Sequence, residues 1–357
     1  MTEKGIDKNF IHQEAVDADT QWYDARNLTI YGVMPDEELL SRRMPKDIAQ
    51  QVNNGVCNYS DYGAGGRIRF STNSSYVAIK VHYGTGSVPT VMNYCGSYGF
   101  DLYRCQDDRE VYLSTGRPTH EFDHKYAEYK LDTHSAGKVQ EYTLNFPIFC
   151  AIEDLQIGVE TGSVIGSGKA YRNSLPVVYY GSSITHGAAA GRPGNTYESF
   201  ISQKYNLDYI NLGFSGSAKG EQIMAQYIAG IPMSVFVCDY DYNASNPQYL
   251  EETHFPFYET FRKEQPDTPY IMISRPNFFN NPGPNGRRRE IIRASYEKAL
   301  AIGDKHVYFI DGETLFAGEC AECCTSDSVH PNDLGFFRMS QVIGPVVMDA
   351  YEASPHK

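Results

Sequence analysis

Two short stretches, far apart in the chain, hold side chains able to work together on an ester. The first is Gly181-Ser182-Ser183-Ile184-Thr185-His186-Gly187, a serine in a glycine-flanked turn directly after an apolar run. The second is Thr325-Ser326-Asp327-Ser328-Val329-His330-Pro331-Asn332-Asp333, where Asp327 precedes His330 by three residues. A serine hydroxyl is a weak nucleophile until a base takes its proton, and an imidazole serves as that base when a carboxylate holds its orientation and tautomer. Ser183, His330 and Asp327 supply these three roles, with Asp333 as a rival carboxylate. A lone serine after a strand is ordinarily a turn or helix-capping residue, so the reading depends on what lies between the two stretches.

Two further segments lie there. Gly213-Phe214-Ser215-Gly216-Ser217-Ala218-Lys219-Gly220 follows a second apolar run; its glycines permit tight turns and leave backbone N–H groups free to face an anion. Asp239-Tyr240-Asp241-Tyr242-Asn243-Ala244 follows a third run and offers a side-chain amide. Donors of these two kinds suit an oxyanion hole. His186, three residues after Ser183, and Arg192, in Arg192-Pro193-Gly194, are candidates for lining a substrate pocket; the plainer reading of His186 is a polar residue in the first turn of a helix.

Such groups meet only if the chain brings them to one edge. Val177-Tyr180, Tyr209-Leu212, Val235-Cys238, Tyr270-Ile273 and Val307-Ile310 are short apolar runs of the kind that form buried parallel strands. Segments of helical length lie between them, among them Tyr249 to Lys263 and Arg287 to Ala301. The pattern predicts an α/β three-layer unit, a five-stranded parallel sheet with right-handed crossovers, whose ligands bind at the carboxyl ends of the strands. Upstream, Ser75-Tyr83, Arg109-Leu113 and Val139-Leu144 alternate with a period of two and are separated by turn residues, which predicts an all-β sandwich or jelly roll. The change of pattern near residue 174 divides the chain into 1–173 and 174–357. Arg287-Arg288-Arg289, followed by Glu290, reads as a solvated face at a helix start.

Four separated blocks taken in order resemble the GDSL or SGNH hydrolase superfamily: Gly181-Ser182-Ser183-Ile184-Thr185, Gly216, Asn243 and Asp327-x-x-His330. The resemblance implies a flavodoxin-like hydrolase fold with Ser183 as nucleophile, His330 as base and Asp327 as its orienting carboxylate. It further implies an oxyanion hole of the Ser183 N–H, the Gly216 N–H and Asn243 Nδ2. Two positions depart from the family's pattern: Ser182 replaces the usual aspartate, and Ala244 follows Asn243 where aspartate is common. Gly99-Phe100-Asp101-Leu102-Tyr103 is similar to the G-x-D-L-Y signature of a β region found before such hydrolase domains in bacterial proteins. Together the two resemblances cover nearly the whole chain, and carbohydrate esterase activity is the commonest expectation of that group.

Composition narrows the alternatives. The 357 residues, 41% hydrophobic and 21% charged, suffice for about two globular units. With 44 acidic against 31 basic residues, a formal charge of -13, no general positive field attracts nucleic acid or anionic lipid. No apolar stretch approaches membrane-spanning length, and Met1 to Asn9 has no apolar leader core, so a soluble, cytoplasmic protein is expected. Eight cysteines are too sparse for a disulfide scaffold. Cys320, Cys323 and Cys324 spell C-x-x-C-C without a second ligand pair, so no metal is expected. The glycine spacing from Gly213 to Gly220 is not that of a dinucleotide fingerprint, and no cofactor is expected. The 28 tyrosines suit sugar faces but suit strands equally. The expected activity is a serine esterase acting on short acyl esters, acetyl first, of a small molecule or oligosaccharide. A lipid-type acyl hydrolase or thioesterase and a non-catalytic carbohydrate-binding protein are the alternatives, and a homo-oligomer stays open.

Overall fold

The structure, a computed structural model, describes residues 16, 19–107, 109–119, 122–276 and 282–356. The Met1 to Asn9 stretch used above lies outside the described residues.

The alternating segments form two antiparallel sheets. In one the order is β1 (Thr20–Asp24), β9 (Cys150–Glu160), β4 (Tyr76–Gly86) and β7 (Tyr126–Asp132). In the other it is β10 (Ile165–Ser167), β3 (Arg67–Thr72), β8 (Gln140–Asn145), β5 (Phe100–Gln106) and β6 (Arg109–Gly116), with β2 (Thr29–Tyr31) also on β3. Successive side chains of a strand point to opposite faces, so Val77, Ile79 and Val81 of β4 share one buried core with Ile68 and Phe70 of β3, Leu102 of β5 and Leu144 of β8. This is the expected sandwich.

The later apolar runs form one parallel sheet in the order β12 (Tyr209–Gly213), β11 (Val177–Gly181), β13 (Val235–Asp239), β14 (Tyr270–Ile273) and β15 (Val307–Ile310). Val177 and Tyr179 face a layer that includes α5 (Tyr197–Tyr205) and α9 (Asp333–Ala353). Val178 and Tyr180 face α6 (Gln222–Ala229), α7 (Pro247–Glu264) and α8 (Pro282–Ala301). The flavodoxin-like order has its switch point between β11 and β13. The register sets Gly181 opposite Gly213 on one side and Asp239 on the other, so the loops leaving β11, β12 and β13 start level with one another.

Residues before 174 also enter the parallel half. The short helices α1 (Lys46–Val52) and α2 (Asn54–Tyr59) follow Arg43, and Met44, Ala49 and Val56 share a core with Val178 and Phe214. The Arg43 guanidinium, fully buried, donates to the carbonyls of Tyr62 at 2.9 Å, Asn211 at 2.8 Å, Gly213 at 3.0 Å and Tyr59 at 2.5 Å, and lies 5.0 Å from the Phe214 ring centroid. Burial pushes it down to about 9, partly countered by the charge of Asp61, so it stays cationic at neutral pH. Lysine presents one compact charge where arginine presents a planar fork. Replacing Arg43 by leucine strands several buried carbonyls at about 1–3 kcal/mol each; Arg43→Leu should lower unfolding stability by at least ~3 kcal/mol in urea, and Arg43→Lys should recover only part of it.

Glu198 on α5 is buried, and neither carboxylate oxygen has a hydrogen-bond partner among the described residues. Burial pushes its carboxyl well above the ordinary range. The folded chain therefore keeps a proton that the unfolded chain releases above its ordinary pKa of about 4.3. Stability from this group is present below that pH and is lost as pH rises toward the folded value. Glu198→Gln should flatten the decline of stability on the alkaline side, read as urea midpoints at pH 5, 7 and 9; an unchanged slope would show that another group sets it.

Candidate active site

β11 ends at Gly181 and the chain turns into α4 (Ser183–His186), capped by Ser182, whose Oγ accepts the Ile184 N–H at 3.2 Å. The residue that departs from the family's aspartate thus acts as a helix cap. From Val177 to Ala190 every residue but Ser183 is buried, so the one side chain this turn offers to the outside is the serine. Gly213 lets α4 sit this close to β12, because a Cβ there would lie 2.2 Å from the His186 backbone nitrogen.

His330 approaches from a loop before α9, closed by a bridge between Thr325 and Pro331. Its Nε2 stands 2.9 Å from Ser183 Oγ, and its Nδ1 stands 2.8 Å from Asp327 Oδ2. An ionised carboxylate only accepts, so Nδ1 carries the hydrogen and Nε2 is left to receive the serine proton. Asp327 Oδ1 also accepts the N–H groups of His330 at 2.7 Å and Val329 at 3.0 Å, and Ser328 takes a φ of 70° to close the turn. Partial burial pushes the Asp327 carboxyl up, but those N–H groups and the imidazole outweigh it and hold it below the usual range. Asp333, the rival carboxylate, points elsewhere: its Oδ1 accepts the Gly191 N–H at 2.7 Å, tying the loop after α4 to the start of α9.

Gly216 is exposed with a φ of 67°, and a Cβ there would meet nothing within 4 Å, so its glycine serves backbone conformation alone. Its N–H has no acceptor among the described residues. Asn243 ends a short turn after β13 and spends one amide hydrogen on the Phe214 carbonyl at 3.0 Å, which leaves the second. That bond joins the loops leaving β12 and β13.

The structure corrects two expectations. His186 lines no pocket: it is fully buried, with Nε2 3.1 Å from the Ile148 carbonyl and Nδ1 3.0 Å from Ser215 Oγ. Arg192, the other pocket candidate, is partly exposed; it donates to Tyr103 Oη at 2.7 Å and lies over the Tyr112 ring at 3.8 Å. Arg288 is not on a solvated face. It is buried and donates to the carbonyls of Asp241 and Ala244, both at 2.7 Å, bracing the turn that carries Asn243. Because α8 starts earlier than Arg287, Arg288 shares a face with Ile292, Ser295 and Ala299, all buried; the three-to-four spacing was the available signal.

The G-x-D-L-Y residues join the halves. Asp101, buried, accepts Asn145 Nδ2 at 2.9 Å and the Gly194 N–H at 2.8 Å. Burial raises it to about 6, against the pull of the Arg192 charge 3.6 Å away. All eight cysteines are free, and among the described residues no group of three or more His, Cys, Asp or Glu side chains is arranged to hold a metal. No helix among the described residues is long and apolar enough to cross a membrane.

A parallel sheet in this order, a serine after its first strand and Asp-x-x-His after its last are the features of an SGNH-type α/β hydrolase. Comparison with known families agrees: residues 174–348 match the GDSL-like lipase/acylhydrolase family, and residues 20–165 match the N-terminal region, named GxDLY, of SGNH-hydrolase-type esterases. The chain belongs to the GDSL/SGNH hydrolases that carry this N-terminal region. A structure described as a GDSL-like lipase from Bacteroides ovatus is 27% identical, with a TM-score of 0.84 over 93% of this chain and 98% of that one. The salicylyl-acyltransferase SsfX3 of a tetracycline biosynthetic pathway shares the fold at 19% identity and a TM-score of 0.75, over 96% of this chain and all of that one. An acetyl xylan esterase, Est2A, from Butyrivibrio proteoclasticus shares it at 11% identity and 0.61, over 94% and 100%. Comparison with curated protein sequences gave no match.

An asparagine at 327 would keep the shape of the loop but let the imidazole take the wrong tautomer. Asp327→Asn should therefore lower hydrolysis of an activated ester by about 10³–10⁴-fold with little change in melting temperature; a loss under tenfold would remove Asp327 from the site.

Proposed function

We propose that the protein is a serine esterase that removes a short acyl group, acetyl in the first instance, from a hydroxylated substrate such as a decorated sugar. The observation that carries this reading is the unbroken series from Asp327 through His330 to Ser183, with both hydrogen bonds under 3 Å. Ser183 Oγ attacks the ester carbonyl as His330 Nε2 takes its proton, giving a tetrahedral oxyanion. The C–O bond to the alcohol then breaks, and His330 returns the proton to the departing oxygen. Water, deprotonated by His330, attacks the acyl-enzyme; collapse of the second tetrahedral species breaks the bond to Ser183, whose Oγ takes the proton back from His330, and releases the acid. The Ser183 and Gly216 N–H groups and the spare hydrogen of Asn243 Nδ2 are the donors for both oxyanions. Asp327 keeps its charge throughout and stabilises the imidazolium.

One feature favours a carbohydrate carrier: the fold is shared with esterases whose names specify carbohydrate substrates, among them the acetyl xylan esterase above and a family two carbohydrate esterase from Cellvibrio japonicus.

Rates on p-nitrophenyl acetate, butyrate and octanoate, for the wild type beside Ser183→Ala, test the reading. The acetate rate should exceed the octanoate rate and fall by more than about 10³-fold in the variant. Rates that rise with chain length would favour a lipid-type hydrolase, and a variant that keeps the wild-type rate would overturn the assignment of Ser183.

A further inference from the structure

The nucleophile and the oxyanion donors leave different strands, Ser183 from β11 and Gly216 from β12. The reaction needs their separation held within a fraction of an ångström. Gly216 cannot do this itself, since its backbone is in the left-handed region, exposed, and without neighbours around the Cβ position. What orients its N–H must therefore act through the residues beside it. Ser217 N–H donates to the Phe214 carbonyl at 2.9 Å, which closes the turn on itself without reference to Ser183. Asn211 Nδ2 ties β12 to the Thr185 carbonyl at 2.5 Å, five residues before Gly216; of the two residues flanking Gly216, only Ser215 has a bond that leads to the nucleophile's helix among the described residues, and it leads to His186.

His186 lies three residues after Ser183 at the end of α4. Ile148 offers its ring only a carbonyl, so Nε2 carries the hydrogen and donates at 3.1 Å. In a neutral imidazole the other nitrogen is then an acceptor. It receives the Ser215 hydroxyl at 3.0 Å and the Ser215 N–H at 3.4 Å. The ring stacks on Phe149, with centroids 4.3 Å apart and planes 22° apart, and has the edge of Tyr59 at 5.2 Å, so it cannot swing away. Burial, helped by the charge of Arg43, holds the imidazole well below its ordinary range and so keeps Nδ1 an acceptor at working pH. A phenylalanine would fill this aromatic cage without burying two polar nitrogens; both nitrogens are used to connect other segments.

We infer that His186 is a positioning residue for the oxyanion hole: it ties the helix bearing Ser183 to the residue preceding Gly216 and so fixes where the Gly216 N–H points. This rests on the esterase reading above. The role differs from that of the triad, since His186 touches neither the nucleophile nor the ester.

His186→Phe keeps the ring stack and removes both bonds, His186→Gln keeps a donor and an acceptor, and Ser215→Ala removes only the hydroxyl of a half-buried residue. On p-nitrophenyl acetate, His186→Phe should lower kcat by about 10- to 100-fold with KM within twofold. Ser215→Ala should show a smaller loss of the same kind, and His186→Gln should recover part of the rate. Phenylboronic acid, which adds to Ser183 Oγ as a tetrahedral borate with the serine proton passed to His330, should lose affinity in parallel with kcat. Amide hydrogen exchange across residues 215–217 should quicken in His186→Phe and Ser215→Ala. If Ser215→Ala and His186→Gln both keep wild-type kcat and boronate affinity, or if only KM changes, the inference is overturned. Should His186→Phe fail to fold, Ser215→Ala decides alone. Absence of ester turnover in the wild type would sink the esterase reading instead, and exchange at 215–217, measured without substrate, would still decide whether His186 holds the loop.

Discussion

Buried cations organise the boundary between the two halves: Arg67 reaches Asp208 and the Tyr209 carbonyl, and Arg69 reaches Asn206, while Arg43 serves the far end of β12. Arg43 has no carboxylate within salt-bridge distance among the described residues; its charge is met by carbonyl oxygens from both sides of the boundary and by the face of Phe214. Guanidinium suits this position because its planar fork serves several acceptors at once and is more weakly hydrated than an ammonium. Two of the carbonyls, those of Asn211 and Gly213, belong to the last residues of β12, from which the glycine-rich loop departs. Neighbouring segments add to the same hold: Asn53 Nδ2 donates to the Ser217 carbonyl at 2.9 Å and to Glu221 at 2.7 Å. The antiparallel half thus contributes a wall against which the loop after β12 is set.

The loop after β13 is held by another arginine on the same plan as Arg43. Arg288 reaches from α8 to the carbonyls of Asp241 and Ala244, while the Arg275 backbone N–H donates to Asp241 Oδ2 at 3.0 Å. Backbone carbonyls at the ends of parallel strands have no further strand partner and must find donors elsewhere. Meeting that need with buried arginines leaves the serine, the glycine N–H and the asparagine amide facing outward on rigid supports. The loop after α4 is tied down in turn by Asp101, Tyr103 and Asp333.

The parallel strands were legible because they are short apolar runs, and the segments between them were of helical length. Ser183, Asp327 and His330 were legible as a set because their chemistry demands those residue types at loop positions after strands. The supports were not. Arg43, Arg288 and His186 act on backbone carbonyls and amides, which every residue possesses, so no side-chain pattern in the sequence marks their partners. A charged run such as Arg287-Arg288-Arg289 reads as solvated until the helix phase is known, and the phase depended on a start several residues earlier than the run suggested. The G-x-D-L-Y residues were recognisable as a signature, but their physical purpose, accepting the Gly194 N–H and receiving Arg192, emerges only from the meeting of the two halves.

The long reach of Arg43 also bears on how the chain comes off the ribosome. Arg43 precedes Asn211 by 168 residues and Gly213 by 170. At ~5–20 residues per second of synthesis, the nascent chain carries this guanidinium for roughly 10–30 s before its last acceptors are translated. Throughout that interval the cation stays hydrated, and the segment with α1 and α2 has no sheet to pack on. The antiparallel strands can pair early, since their partners are made early, but residues 43–59 settle only after β12 has emerged. Folding of the two halves is thereby coupled late in translation, with apolar residues such as Met44 and Val56 exposed to chaperones or to one another until then.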